Sequence, residues 1–328
     1  MLKRKLCEAR FEWKLTCEGP LLISDGRYDK DQLPEAEGKW PNMIFISHSD
    51  KSRIYQAVQA ATSAEALRLP FYVPGTSLRG PFRAQAERII RTLLPETASP
   101  PLTACDPFSM DEQEPKSCSK RIDLTKPAVP YAVACPACKL FGCTGTASRI
   151  TFADAKIQEG YCSVYRDMIG IDRFTGGVHS GANMEFHALE GATLTTQIVV
   201  ANFELWHLGL IAYVFRDFEQ GLVPIGFGKT KGFGAVTGEV KNVLLTYPIG
   251  EVTGQVHHMG SLASDSERER YGLHASEAPK CDLAKVATGG LTLHETFSVP
   301  EDAVASFHES AAKAFNAFIE QKVKEAAA

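Results

Sequence analysis

The chain has 328 residues, of which 44% are hydrophobic and 23% are charged. These proportions are those of an ordinary globular protein, and no stretch approaches the roughly 18 apolar residues that would span a bilayer. The formal net charge of −4 argues against a protein that binds nucleic acid through its total charge, although it leaves room for a locally basic groove.

The N-terminus and the cysteines bear on where the protein works. Residues 1–7 are basic, but no apolar segment follows them, so we expect no signal peptide and a cytoplasmic location. Nine cysteines are many for a cytoplasmic chain, where disulfides are rare. Five of them fall between positions 105 and 143, which favours a metal site in that segment.

The first half of the chain contains one clear strand and one clear helix. Residues 11–16 alternate apolar and polar side chains, as in a half-buried strand. A long mixed stretch follows, in which residues 52–67 predict a short helix. Thr76 or Ser77 is then placed to cap a helix through Leu94, whose apolar residues recur with helical spacing.

The second half alternates strands with one amphipathic helix. In order, we predict a strand at 149–157, a loop or hairpin tip at 170–181, a strand at 193–200, a helix at 205–220, and strands at 223–227 and 235–245.

The predicted order of strand, helix, strand, strand, helix, strand is that of the ferredoxin-like α+β fold. Its antiparallel sheet leaves one face open, and such a face often holds RNA. We expect this core over residues 1–248. Residues 249–328 are predicted to form a polar linker and a C-terminal helix, which a capping box at 298–301 would open.

The segment 95–149 is rich in Pro, Cys and Ser and is predicted to need a metal to fold. Cys135 and Cys138 have the spacing that places two thiolates on one tetrahedral ion. Cys105 and Cys118 complete the preferred set for a structural zinc, with Cys143 as a substitute for one of them. The alternative is a group of unliganded or redox-active thiols.

The glycine-rich segment 226–234 invites a comparison with nucleotide-binding loops. A P-loop is rejected, because Val223 stands where the pattern requires glycine and a strand rather than a helix is predicted to follow. Two interpretations stay open: a simple hairpin, or a backbone surface at Gly228 with Lys229 and Lys231 touching phosphates.

Two further segments have both a functional and a plain interpretation. The helix start offers free N–H groups beside two arginines, which suits an anion, yet it also fits a capped surface helix. The loop around residues 172–177 fits a protruding finger that wedges between bases, or a turn. The residues concerned are Gly75, Thr76, Ser77, Arg79 and Arg83 at the helix, and Met168, Ile169, Arg173 and Phe174 at the finger.

Four segments, in this order, resemble the RAMP superfamily of CRISPR-associated proteins: residues 73–80, 135–142, 171–173 and 226–234. They are collinear with the family pattern and cover about residues 12–243. More narrowly, the chain resembles the backbone subunit that polymerises along the guide RNA in type III and type III-related effector complexes, including type VII.

The resemblance implies a modified ferredoxin-like (RRM-like) core shaped as a hand. The helix after Gly75 and the glycine-rich loop would grip the guide RNA, residues 162–190 would form a thumb that kinks the guide–target duplex, and the cysteine segment would be a zinc finger. Implied partners are guide CRISPR RNA, target RNA, further copies packed head-to-tail, other effector subunits and a separate nuclease.

The chain departs from the catalytic members of that family. Those members carry an aspartate shortly before the Pro-Gly-Ser helix, whereas residues 60–66 here contain none. We therefore predict no intrinsic nuclease activity. Two alternatives remain: a target-RNA endoribonuclease that uses an upstream aspartate, and, with less support, a guide-processing ribonuclease. The upstream aspartates are Asp25, Asp29, Asp31 and Asp50.

Overall fold

A computed structural model describes residues 4–26, 29, 41–61, 66–95, 98–108, 117–125, 129–250, 255–274, 276, 281, 283–287 and 292–327. Its strands are β1 (Glu8–Cys17), β2 (Tyr72–Val73), β3 (Ile150–Phe152), β4 (Ala155–Ile157), β5 (Cys162–Ile171), β6 (Val178–Glu190), β7 (Thr193–Ala201), β8 (Val236–Pro248), β9 (Ala284–Val286) and β10 (His294–Val299). Its helices are α1 (Lys51–Ala60), α2 (Gly75–Leu93), α3 (Cys118–Arg121), α4 (Pro130–Val133), α5 (Pro136–Phe141), α6 (Leu205–Glu219), α7 (Met259–Leu262), α8 (Asp265–Tyr271) and α9 (Val304–Ala327).

The large sheet has the strand order β2–β4–β7–β1–β8–β10–β9, with β3 also paired to β7. All of its strand pairs are antiparallel. Its central part runs β1, α2, β3 with β4, β7, α6 and β8 along the chain. Counted along the chain, β1 is the first strand position, β3 with β4 the second, β7 the third and β8 the fourth. Across the sheet these positions lie in the order fourth, first, third, second. The mixed α+β class predicted from the sequence is confirmed.

Both central helices pack on the same face of β1 through aromatic side chains. The Trp13 ring lies 5.8 Å from Phe82 of α2 and 4.8 Å from Phe218 of α6, centroid to centroid. Trp13 is fully buried, whereas Glu12, its neighbour in β1, is exposed. Because side chains alternate along a strand, the pattern at residues 11–16 directs one face of β1 into this core.

Two predicted strands differ from the structure. The strand expected at 149–157 is broken into β3 and β4 at Ala153 and Asp154. The strand expected at 223–227 is wrong, because Pro224 cannot donate to a ladder and Gly226 adopts a φ of 74°. Its backbone groups bond within the loop and to the segment after β1 instead, as in Ile225 N–H to Gly234 O at 2.9 Å and Phe227 N–H to Leu22 O at 2.8 Å.

Two predicted helix boundaries also differ. The helix expected at 52–67 ends at Ala60. The capping box expected at 298–301 is wrong, because Ser298 still belongs to β10 and pairs with Leu244. A 3-10 turn over Glu301–Ala303 precedes α9 instead.

The C-terminal part of the chain is built onto the core. β10 pairs with β8, and β9 pairs with β10, so both strands extend the sheet. α9 packs closely on α6: the Trp206 and Phe318 rings stack at 4.2 Å, and a Cβ on Gly209 would lie 2.2 Å from Ala311 O. Among the described helices, none is both long and apolar enough to cross a membrane.

Candidate functional site

The four cysteines of the preferred set come together in one buried cluster. One sulfur from each of Cys105, Cys118, Cys135 and Cys138 lies within 4.8 Å of all the others, and each of these residues is at most 2% exposed. The Cys105 and Cys138 sulfurs are 3.6 Å apart. A tetrahedral ion with Zn–S bonds near 2.3 Å places its sulfurs about 3.8 Å apart, so the donor set fits such an ion.

Local backbone structure holds these sulfurs in place. Cys135 is the N-cap of α5, and its Sγ accepts from Cys138 N at 3.4 Å, as the spacing of two intervening residues allows. Cys118 begins α3, and its Sγ accepts from Cys135 N at 3.3 Å. Hydrogen bonds among the cysteine thiols, those with Cys105 first, lower the pKa of Cys118 and raise the pKa of Cys135 and Cys138. N–H donors around the sulfurs favour thiolates, the form that binds a metal.

Two arginines contact the sulfurs from outside the cluster. Arg83 Nη2 of α2 lies 3.7 Å from Cys138 Sγ, and Arg121 Nη2 lies 3.5 Å from Cys118 Sγ. A divalent ion with four thiolates carries two excess negative charges, which two guanidinium groups would offset. Sequence reasoning missed Arg121, although its place three residues after Cys118, on the same helical turn, is a usable signal.

Cys143 lies beside the cluster rather than in it. It is only partly buried, and its backbone pairs with Thr146 in a tight turn after α5. A hydrogen bond from Cys138 lowers the pKa of the Cys143 thiol to about 6. The geometry therefore favours the preferred four-cysteine set over one that includes Cys143.

The start of α2 is largely occupied by contacts within the protein. Gly75 N–H donates to Asp154 Oδ1 at 2.8 Å, so a carboxylate of the chain itself already lies at this helix end. A Cβ on Gly75 would lie 2.2 Å from Phe152 O, which explains the glycine by close packing. Thr76 is exposed and Ser77 is half-buried, and neither side chain caps the helix.

The two arginines predicted to touch phosphate both face the cysteine segment. Arg79 Nη2 donates to Phe141 O at the end of α5. Arg83 donates to Glu87 Oε1 at 2.8 Å as well as to Cys138 Sγ. Both guanidinium groups also lie within 6 Å of the Phe141 ring, in cation–π contact. These arginines therefore join α2 to the cysteine segment.

β5 and β6 form a hairpin that is a sheet of its own, with its turn at residues 172–177. Apolar side chains on its outer part face solvent: Phe174 is 100% exposed and Ile169 is 52% exposed. Arg173 is exposed beside them. Met168, in contrast, lies at the base and packs with Phe233 and its neighbours. Exposed apolar groups on a projecting hairpin indicate a binding surface.

The glycine-rich loop lies against the base of this hairpin. Phe186 of β6 packs on Phe227 and Phe233, with ring centroids 5.3 and 6.3 Å apart. Gly228 adopts a φ of 71°, and a Cβ there would lie 3.2 Å from Phe233 and 3.3 Å from Met168. The exposed Lys229 and Lys231 form the 3-10 turn that follows, and within the described residues neither has a carboxylate within 4 Å.

Three of the four upstream aspartates lie in the described part of the chain. Asp50 is the N-cap of α1 and accepts from Arg53 N at 2.9 Å. Asp25 and Asp29 are exposed, and the backbone of Asp29 pairs with the Tyr55 hydroxyl at 3.0 Å. Asp31 lies outside the described residues.

A buried polar network that the sequence did not predict joins three distant segments. The Tyr131 hydroxyl of α4 donates to Glu204, the N-cap of α6. The other oxygen of Glu204 accepts from His274 N at 2.7 Å, after α8. Arg149 stacks on the Tyr131 ring at 4.2 Å. The cysteine segment is therefore fixed to the core and to the C-terminal part of the chain.

The sequence model of the RAMP superfamily matches residues 63–237, which make up more than half of the chain. The chain belongs to the RAMP superfamily. Membership gives it a CRISPR-associated, RNA-binding role, and RAMP proteins generally bind CRISPR RNA within multi-subunit complexes. The match spans α2, the cysteine segment, the hairpin and the glycine-rich loop. A search of curated proteins found no match for this RAMP protein.

Proposed function

We propose that this RAMP protein is a backbone subunit that binds the guide CRISPR RNA in several copies and positions it for pairing with target RNA. One observation carries the proposal: the hairpin with exposed Ile169 and Phe174 is seated directly on the loop that presents Lys229 and Lys231. Cations that can hold a phosphate backbone thus lie where the loop meets an apolar finger. The exposed side chains of that finger can stack on nucleobases.

The roles follow from these surroundings. Lys229 and Lys231 bind phosphates beside the bare backbone of Gly228, while Arg173, Ile169 and Phe174 act at the thumb. Met168 fixes the base of the thumb. At α2, the exposed Thr76 and the adjoining Ser77 extend the RNA path past Gly75. Arg79 and Arg83 act mainly by holding the cysteine segment, since their guanidinium groups already bond to Phe141 O and Cys138 Sγ.

The remaining assignments rest on the same arrangement. The spatial strand order fourth, first, third, second supports a ferredoxin-like core, and its open face supports an RNA-binding sheet. The four sulfurs support a structural zinc that cross-links the segment between α2 and β3. Because the guide is a linear track, copies would pack head-to-tail. Other effector subunits, including a separate nuclease, would complete the complex.

RNA binding by the purified chain tests the proposal. A labelled guide RNA should bind with an affinity that falls steeply as salt rises, and Phe174→Ala should weaken binding. Phe108→Ala is the matched control, because Phe108 is an exposed phenylalanine of the cysteine segment, 84% exposed. Undetectable binding at low salt would reject the proposal. Target cleavage that is lost when Asp25, Asp29, Asp31 and Asp50 become Ala would favour the endoribonuclease instead.

A further inference from the structure

A groove of about 780 Å³ lies on the helical side of the sheet, apart from the RNA and metal elements described above. α6, the first half of α9 and β8 line it. Ala212, Phe215, Val240, Ala305 and Ala312 contribute its small or apolar walls. Its volume lies within the range of natural binding sites.

The groove lies where β8 has a free edge. β10 covers β8 only from Val243 onwards, because β10 ends at Val299. In the described part of the chain, residues 236–242 of β8 pair with β1 alone. Gly238 and Glu239 of this stretch line the groove. Since alternate residues of an antiparallel strand direct their N–H and C=O groups outward, this stretch offers backbone groups that another strand can pair with.

His308 lines the groove and stacks on Phe215 at 5.9 Å. Its Nε2 atom is buried and has no hydrogen-bond partner among the described residues. Buried polar groups are rarely left unpaired in a finished assembly, so this nitrogen points to a missing occupant.

The charges around the groove define that occupant further. Four carboxylates and two cations line the groove, but Arg216 already pairs with Asp217 at 2.9 Å and Glu239 already pairs with Lys241, which leaves three carboxylates and one cation. An acidic rim repels the phosphates of RNA and attracts lysine or arginine. The carboxylates are those of Glu219, Glu239, Glu301 and Glu309, and the second cation is Lys313.

We propose that this groove binds an extended segment of a partner protein, which adds a strand to the free edge of β8 and carries small apolar side chains flanked by lysine or arginine. Backbone pairing would supply affinity, and alternate side chains would enter the groove beside Phe215 and His308. The inference is independent of the RNA-binding proposal, because it uses none of the residues assigned to RNA.

A capped, fluorescent peptide of alternating Val and Thr between terminal lysines tests the site. The chain should bind it, and a glutamate-flanked analogue should bind about tenfold more weakly. The lysine-flanked peptide with alternate N-methylated backbone nitrogens should also lose binding, because it cannot pair with a sheet edge. No binding of the lysine-flanked peptide, or equal binding of all three, would overturn the proposal.

A pair of helix substitutions locates the binding. Ala312→Trp fills the groove and should abolish peptide binding, whereas Ala317→Trp, at an exposed position of α9 outside the groove, should leave it intact. An unchanged midpoint of thermal unfolding in both variants would show that neither substitution disrupts the fold. Equal binding by both variants would overturn the site. Self-association of the chain that Ala312→Trp abolishes would assign the groove to a second copy and overturn the partner assignment.

Discussion

Arg83 Nη2 donates to Cys138 Sγ across 3.7 Å, so a helix expected to grip RNA contacts the cysteine cluster directly. The same side chain bonds to Glu87 Oε1 and to Gly142 O. Removing the guanidinium would leave Cys138 Sγ without this cation, whereas Glu87 would keep its pairing with Arg91 at 3.1 Å. Arg83 is therefore well placed to tune the affinity of the four cysteines for a metal ion.

Arg83→Ala should weaken zinc binding about 10- to 100-fold, the usual effect of losing an outer partner of a metal ligand. Competition with a chromogenic zinc chelator measures the change. Arg88→Ala is the control, because Arg88 lies on the same helix and bonds to Gln85 Oε1 instead. A fall in RNA affinity with unchanged zinc affinity would return Arg83 to the phosphate-binding role.

Cys138→Ser should lower the zinc content, and it should make residues 95–149 sensitive to protease before the rest of the core, because a closed site loses one of its four ligands. Elemental analysis of freshly purified protein should give one zinc per chain before substitution. Cys143→Ser is the matched control and should change neither property. Loss of zinc in Cys143→Ser but not in Cys105→Ser would redraw the ligand set.

Gly75→Ala should destabilise the protein by about 1–3 kcal/mol or more, because its Cβ would lie 2.2 Å from Phe152 O. Gly80→Ala, on the same helix, should cost much less, since nothing beyond its chain neighbours and its own helix lies within 4 Å of a Cβ there. Denaturant unfolding of both variants measures the contrast. Equal effects would show that Gly75 is not fixed by packing.

Lys229→Ala should weaken RNA binding about equally for different sequences and should reduce the salt slope by about one ion. The reason is the loss of a single phosphate contact. Lys324→Ala, at the far end of α9, should leave both quantities unchanged. A loss confined to some RNA sequences would show that Lys229 reads bases.

His308→Phe should make folding less sensitive to acid. Burial lowers the pKa of His308 to about 4 from its usual 6.5, so the unfolded chain takes up the proton first as the pH falls. The protein therefore loses stability through this group between about pH 6.5 and pH 4, by about 2 kcal/mol from pH 7 to pH 5. Unfolding of both proteins at these two pH values tests this. An equal loss in the variant would show that His308 does not cause the effect.

The sequence predicted best where a pattern is local. The alternation at residues 11–16 and the helical spacing after Gly75 are direct consequences of strand and helix periodicity, and both elements are present. The proximity of Cys135 and Cys138 has the same origin, since the first turn of α5 sets the distance between them. The expectation about RNA came from the open sheet face and the cationic glycine-rich segment, and the resemblance to the RAMP superfamily made it specific to guide RNA.

The sequence did not predict contacts between distant segments. Nothing near Glu204 in the sequence indicates that its carboxylate bonds to both Tyr131 and His274. The role of Arg83 likewise depends on where α5 packs. The cysteine segment was expected to need a metal to fold, yet Leu140 and Phe141 are also buried in the main core. Its attachment to the core is thus a tertiary property.

The hairpin pairs with the core at Phe186 and Leu189, and its exposed turn projects beyond Met168. Phe174 lies roughly 15 Å beyond Met168 along the strands, from the rise per residue of a β-strand. A tilt of about 10° at the contact between Met168 and Gly228 would therefore move the tip of the hairpin by about 2.5 Å, close to the thickness of a nucleobase. The aromatic packing of Phe186 on the glycine-rich loop thus sets how accurately the tip can be aimed.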